Sequence, residues 1–295
     1  MSINKCGFVA IIGKPNAGKS TLLNRLLTKK ISITTHKAQT TRHKVRAIHN
    51  TAHSQIIFYD TPGLETTIKS NLNRHLNNTA QNTALDADVV LFLVTAKTWD
   101  HNDAFALRHL ADCNKPIILV INKVDYLNKR DEVLPVIDKL KDLHNFVEII
   151  VISALKDRSF TQLEKAIERH IPDGPAIFDE QLSSEHDHPF IISERIREKL
   201  INNLHQELPY ELTVQVEQIK DEAKIKKISA VIWVHNEGQK RIVIGKKGAM
   251  LKKIGTFARQ DLERFFETKI HLALWVKVKN SWWDNSDFIE KTRIE

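Results

Sequence analysis

Apolar residues in the first half of the chain fall in short continuous runs: FVAII at 8–12, IIFY within 55–60, VVLFLV at 89–94, IILVI at 117–121 and a last run at 147–152. Runs of this length, bounded by glycine, proline or polar turns, read as strands buried on both faces, the habit of parallel sheets. Between most of them the period lengthens to that of a helix. In 131–143, for example, Val133, Leu134, Ile137, Leu140 and Leu143 fall on one stripe. The alternation predicts an α/β domain whose sheet is covered by helices on both sides. One pair departs from it. Segment 42–50 is joined to 55–60 by a polar turn alone, so those two strands are expected to form a hairpin and make the sheet mixed.

The pattern breaks at IPDGPAIFDEQLSSEHDHP, 171–189, where prolines, a glycine, serines and acids replace the periodic apolar positions. Such a stretch reads as an interdomain linker. The expected division is therefore 1–172, a linker at 173–189, and a second domain at 190–295. His186 and His188 inside the linker are read as solvated, because no third ligand cluster accompanies them. Beyond it the order changes to helix 191–206, strand 212–220, strand 228–235, a helical turn with a glycine loop, helix 249–267 and strand 270–279. That is a smaller α+β sandwich. Trp233 and Trp275, on its strands, are assigned to its core.

A length of 295 residues fits two domains, each able to bury its own core. Hydrophobic residues at 42% and charged residues at 27% exclude a disordered or fibrous chain. Two cysteines, Cys6 and Cys113, are too few and too far apart for a disulfide framework or a CxxC clip, which suits a reducing compartment. No apolar run approaches the roughly 20 residues of a membrane-spanning helix. The N-terminus carries no signal-peptide pattern, so the expected location is the cytoplasm. The net charge of +8 points to a polyanionic partner, either nucleic acid or an anionic membrane surface. Its distribution sharpens this: between 238 and 260 stand Lys240, Arg241, Lys246, Lys247, Lys252, Lys253 and Arg259, with no Asp or Glu among them.

Four motifs sit at the carboxyl ends of predicted strands, where open α/β sheets bind ligands. GKPNAGKS comprises Gly13, Lys14, Pro15, Asn16, Ala17, Gly18, Lys19 and Ser20; with Thr21 it opens a helix after an apolar strand. Its glycines let backbone N–H groups turn toward phosphates, Lys19 is placed for the β- and γ-phosphates, and the Ser20 hydroxyl for Mg2+. Asp60, Thr61, Pro62, Gly63 and Leu64 end the next strand. There Asp60 can hold the magnesium through a water, and the Gly63 N–H can touch the γ-phosphate. In INKVD, Asn122, Lys123, Val124 and Asp125 identify the base. The Asp125 carboxylate can accept from both N1–H and the 2-amino group of guanine, whereas adenine would leave it unpaired. Ser153 and Ala154 supply a backbone N–H for the guanine O6. The expected ligands are GTP and GDP.

These motifs are similar to those of the translation-factor class of GTPases, and ISITTHKAQTTRHKVRAI resembles the effector region of the Era family. The resemblance implies that Thr41 closes over Mg2+ and the γ-phosphate, with Thr40 as its rival. Ras-like proteins place a water-orienting glutamine where this chain has Leu64, so slow intrinsic hydrolysis is expected. Proteins with Asn16 in this loop and an apolar residue at Leu64 resemble a class that holds K+ at the transferring phosphate. The alternative for Asn16 is a bond to its own backbone. Catalytic roles are thus expected for Asn16, Lys19, Thr41 and Gly63.

The second loop, Gly245, Lys246, Lys247 and Gly248, lacks the spacing of a nucleotide cradle. It fits GxxG between two helices, where a single-stranded nucleic-acid backbone can approach. The element order matches a type II KH domain, a module that Era-family proteins carry. RNA contacts are assigned to Lys240, Arg241, Ile244, Gly245, Lys246, Lys247, Gly248, Lys252 and Lys253, with Ile242 and Ile254 as groove and core. The resemblance implies binding of 16S ribosomal RNA near its 3′ end and a role in assembly of the 30S subunit by a monomeric, GTP-switched protein. The competing reading is a signalling GTPase held peripherally at the cytoplasmic face of the inner membrane by the same basic patch. A plain nucleic-acid-binding protein with a degenerate nucleotide site is disfavoured by intact Lys19, Ser20, Asp60 and Asp125.

Overall fold

The computed structural model describes residues 3–282, apart from 36, 38–39, 67–70, 180–181, 183, 185–186, 206–207, 209–210 and 281. His186 lies outside the described residues. The chain divides into two compact units, 1–185 and 186–295.

In the first unit the apolar runs form β1 (Lys5–Ile12), β2 (Val45–Asn50), β3 (Ser54–Asp60), β4 (Val89–Thr95), β5 (Ile117–Asn122) and β6 (Glu148–Val151). They make one sheet in the order β2-β3-β1-β4-β5-β6. β2 and β3 are the expected antiparallel hairpin and all other pairs are parallel. β1, β3, β4 and β5 are buried almost throughout, so the sheet separates two apolar clusters, one on each face. The helices are α1 (Lys19–Leu26), α2 (Asn71–Asp86), α3 (His101–Arg108), α4 (Val133–Leu140) and α5 (Thr161–His170).

Two expectations shift. β2 starts at Val45, because 42–44 pairs with no strand although Arg42 and His43 are buried. The helix expected at 131–143 is only α4, and its stripe is half covered. Val133 and Leu140 are buried, but Leu134 and Leu143 face solvent. A three-residue turn at Arg130–Glu132 precedes it and Pro135 occupies its first turn.

The second unit contains α6 (His188–Asn203), β7 (Leu212–Glu222), β8 (Ile225–Val234), α7 (Glu237–Ile244), α8 (Ala249–Phe266) and β9 (Lys269–Val278). β8 pairs antiparallel with β7 and parallel with β9. α6 and α8 share one apolar core with the sheet, and charged groups fix their contact: Arg195 lies 2.9 Å from Asp261 and Lys199 3.3 Å from the same carboxylate. Trp275 is not a core residue. Alternation along β9 buries Ile270 and Val276 and turns Trp275 outward, 48% exposed. The buried tryptophan is instead Trp282, fully covered with its Nε1 donating to the Glu211 carbonyl at 3.1 Å. Trp283 lies outside the described residues. No helix among the described residues is long and apolar enough to cross a membrane.

Candidate functional site

The first site forms where strand order reverses around β1, whose neighbours are β3 and β4. Ile11 is in register with Asp60, and Thr95 with Asn122, so the loops after β1, β3 and β5 leave the sheet side by side. Residues 13–18 wind from β1 into α1, whose first residue is Lys19. The Lys19 ammonium is buried and donates to the Gly13 and Lys14 carbonyls, each at 3.0 Å. Burial pulls its pKa down to about 8, against the opposing pull of Asp60 and Glu65.

Three oxygen-bearing side chains from separate segments meet beside it. Ser20 Oγ donates to Asp60 Oδ2 at 2.6 Å and lies 2.9 Å from Thr41 Oγ1, which is itself 3.4 Å from Asp60 Oδ2. Asp60 is fully buried, its Oδ1 has no hydrogen-bond partner among the described residues, and burial raises its pKa. Two hydroxyls and a half-satisfied carboxylate are a hard, all-oxygen donor set that fits Mg2+. Between the two rival threonines the geometry separates roles. Thr41 joins this cluster, while Thr40 Oγ1 donates to the Lys37 carbonyl and lies 2.6 Å from Thr35 Oγ1.

Gly63 packs directly on the phosphate loop: a Cβ there would stand 2.6 Å from Pro15 N and 2.7 Å from Pro15 Cα. The next residue, Leu64, is 1% exposed within the apolar cluster, and its N–H donates to the Gly13 carbonyl at 3.3 Å. Its side chain cannot reach a nucleophilic water. Asn16 is exposed with φ 60°, and its side chain makes no hydrogen bond among the described residues, so the self-bonded alternative is not what this loop adopts.

Asn122, 1% exposed, ties the base-recognition loops to the phosphate loop. Its Nδ2 donates to the Ala17 carbonyl at 2.8 Å, and its Oδ1 accepts from the N–H groups of Lys123 at 2.7 Å and Ala154 at 2.8 Å. The Ala154 N–H expected for a purine O6 is thus engaged within the protein, and a ligand must share it. Asp125 stands at the rim, with Oδ1 accepting from Ser153 Oγ at 2.6 Å. Sequence reasoning missed the partners of Lys14. Its side chain leaves the phosphate loop for Asp100 at 2.7 Å and Asp103 at 2.6 Å. D-x-x-D after a strand signals a helix N-terminus, but nothing in the linear sequence connects it to Lys14.

The second site is the turn between α7 and α8. α7 is capped by Asn236, which accepts from the Gln239 N–H at 2.9 Å, and ends at Gly245 with φ 73°. A Cβ on Gly245 would meet Met250 Cβ at 2.7 Å and its N at 2.9 Å, so the turn excludes any side chain there. Lys247 and Gly248 also have positive φ, turning the loop sharply outward. Arg241, Lys246, Lys247, Lys252 and Lys253 are exposed around it. Lys240 departs from the set, half-buried and 3.4 Å from Glu237. Ile254 is core, Ile244 half-buried, and Ile242 is 57% exposed beside the basic residues.

Residues 8–123 match a family model described as 50S ribosome-binding GTPase, and 207–283 match the KH domain model. The chain is 44% identical over 290 residues to GTPase Era of Coxiella burnetii strain Dugway 5J108-111, covering 98% of each. It is 45% identical over 281 residues to GTPase Era of Histophilus somni strain 129Pt, covering 95% of this chain and 94% of that one. Among solved structures it is similar to a variant of Aquifex aeolicus Era bound to GDP and AlF4−, with a TM-score of 0.94, 38% identity and 98% and 99% of the two chains covered. It is equally similar to Era in complex with MgGDPNP and nucleotides 1506–1542 of 16S ribosomal RNA, with a TM-score of 0.95, 38% identity and 99% of each chain covered.

Proposed function

Since the chain belongs to the Era family of GTPases, we propose that it is a GTP-switched RNA-binding protein that engages 16S ribosomal RNA near its 3′ end and serves assembly of the 30S subunit. The observation that carries the nucleotide half is the meeting of Ser20, Thr41 and Asp60 beside the buried Lys19 ammonium, on loops from three different segments.

Each residue has a defined task. Lys19 donates to phosphate oxygens, and its cost of burial is offset when the anion arrives. Ser20, Asp60 and Thr41 would hold Mg2+, which when bound neutralises charge on the β- and γ-phosphates. Thr41 and the Gly63 N–H engage the γ-phosphate, so its loss releases the segment before β2 and the loop after β3. Asp125 accepts from the two donors of the guanine edge, while Asn122 keeps that loop and the phosphate loop in fixed relation. With Leu64 buried in the core, the tip residue left for the transferring group is Asn16, whose amide oxygen would hold K+ there. Hydrolysis is accordingly slow and dependent on potassium.

The RNA half rests on the Gly245–Gly248 turn and its exposed cations. Exposed and half-buried isoleucines at Ile242 and Ile244 beside Lys246 and Lys247, around a turn that lets a backbone approach, suit an unstacked nucleic-acid strand. The test is filter binding of a fragment from the 3′ end of 16S RNA, with and without a non-hydrolysable GTP analogue, alongside sedimentation with anionic vesicles. RNA binding that Gly245→Asp abolishes supports the reading. Vesicle binding that RNA fails to displace, with RNA affinity unaffected by Gly245→Asp, refutes it in favour of a membrane role.

A further inference from the structure

Lys14 belongs to the phosphate loop by sequence, yet its side chain faces away from it. The side chain is 10% exposed, and its ammonium donates to Asp103 Oδ2 at 2.6 Å, to Asp100 Oδ2 at 2.7 Å and to the Thr98 carbonyl at 3.4 Å. The acceptors are themselves fixed. Asp100 is the N-cap of α3, accepting from the Asn102 N–H at 2.8 Å, and Asp103 Oδ2 accepts from the Asp100 N–H at 3.0 Å, completing a capping box. Asp103 is wholly buried, so its charge is held inside the protein chiefly by this one cation.

The consequences lie two residues further on. Pro15 has a ring-restricted φ and packs against Gly63 with no room for even a methyl group. Ala17 is tied to Asn122 through its carbonyl. With Lys14, Pro15 and Ala17 each anchored to a different element, Asn16 is the tip residue whose side chain is exposed and makes no hydrogen bond among the described residues, displayed on an anchored turn.

We propose that Lys14 is a positioning residue for GTP turnover: clamped into the capping box of α3, it fixes the loop so that Asn16 is held at the transferring phosphoryl group. This rests on the nucleotide-site reading above and assigns a role in it to α3, an element outside the nucleotide motifs. A loop freed at Lys14 still offers to the diphosphate the Lys19 ammonium and the N–H groups of Lys19 and Ser20, which belong to the start of α1. Only the geometry at Asn16 is lost, and a misplacement near 1 Å costs up to about 100-fold in rate.

Lys14→Met alone strands the Asp103 charge and invites unfolding, so the decisive variant is Lys14→Met with Asp103→Asn, compared with Lys14→Arg and Asn16→Ala in the full chain. Melting temperature, affinity for a fluorescent GDP, and kcat and KM for GTP are measured, the rates in potassium and in sodium. The expected result is a folded double variant that binds GDP within about threefold of the parent but turns over at least about tenfold more slowly, with Lys14→Arg recovering most of the rate. Turnover within about twofold of the parent, GDP affinity falling in parallel with kcat, or failure of the double variant to fold would each overturn the proposal, the last two by making the pair a brace for the fold. Equal parent rates in the two salts would remove the potassium role of Asn16, while the kcat comparison still decides Lys14.

Discussion

Replacing Gly63 by alanine perturbs its packing against Pro15. Gly63 has no left-handed φ, so an alanine there meets no backbone strain. Its methyl group, however, would lie 2.6 Å from Pro15 N, 2.7 Å from Pro15 Cα and 2.7 Å from Pro15 Cγ. Ordinary carbon contacts begin near about 3.5 Å, so the loop after β3 must withdraw from the phosphate loop by roughly 0.8 Å. Overpacking of this kind costs about 1–3 kcal/mol, which corresponds to about 2–4 °C in melting temperature per kcal/mol for a unit of this size. The functional cost is larger because it is directional. The same displacement moves the Gly63 N–H away from a γ-phosphate, and an error near 1 Å in a catalytic position is worth up to about 100-fold. GDP lacks that phosphate. Affinities for GDP and for a non-hydrolysable GTP analogue, with single-turnover hydrolysis, should therefore separate: GDP within about threefold of the parent, the analogue weaker by at least about tenfold, and hydrolysis slower still. Equal losses for the two nucleotides, or an unchanged hydrolysis rate, would refute a γ-phosphate contact at Gly63.

Further outcomes follow from other groups. Burial holds the Lys19 pKa at about 8 in the free protein and a bound phosphate raises it, so above pH 8 nucleotide binding must take up a proton. Calorimetry at pH 8.5 in buffers of different ionisation enthalpy should register that uptake, and affinity should decline as pH rises further; zero uptake contradicts the assignment. Leu64→Gln, designed to restore a water-orienting amide, should not accelerate hydrolysis. Leu64 is 1% exposed in an apolar cluster, so the amide would be buried without partners at a cost of about 1–3 kcal/mol, seen as a lower melting temperature. Lys252→Ala with Lys253→Ala should reduce the slope of log affinity for single-stranded RNA against log salt by up to about 1.4, while leaving GTP hydrolysis unchanged.

Much of this organisation is legible in the linear sequence because the physics behind it is local. Continuous apolar runs identify strands buried on both faces, and the short polar link between 42–50 and 55–60 identifies the β2–β3 hairpin. The Gly245–Gly248 turn and its flanking helices follow from spacing and glycine placement. What escaped depends on contacts distant in sequence. Trp275 reads as core by residue type, yet the register of β9 turns it outward, and Trp282 beyond the last strand takes the buried position. Leu134 and Leu143 complete a helical stripe on paper but have no facing surface to cover. The pairing of Lys14 with Asp100 and Asp103 spans more than 80 residues and leaves no periodic trace. That Thr41 rather than Thr40 stands beside Asp60 is a contact across 19 residues that only the folded chain supplies.

The most direct test of guanine-nucleotide recognition is a calorimetric titration of the full chain and of Asp125→Asn with GDP, ADP and xanthosine diphosphate. A carboxylate that accepts from both guanine donors predicts binding of GDP over ADP by at least about 1,000-fold. The asparagine variant should lose GDP and gain xanthosine diphosphate, whose C2 carbonyl accepts where the guanine amino group donates. ADP bound as tightly as GDP, or an asparagine variant indistinguishable from the parent, would contradict it.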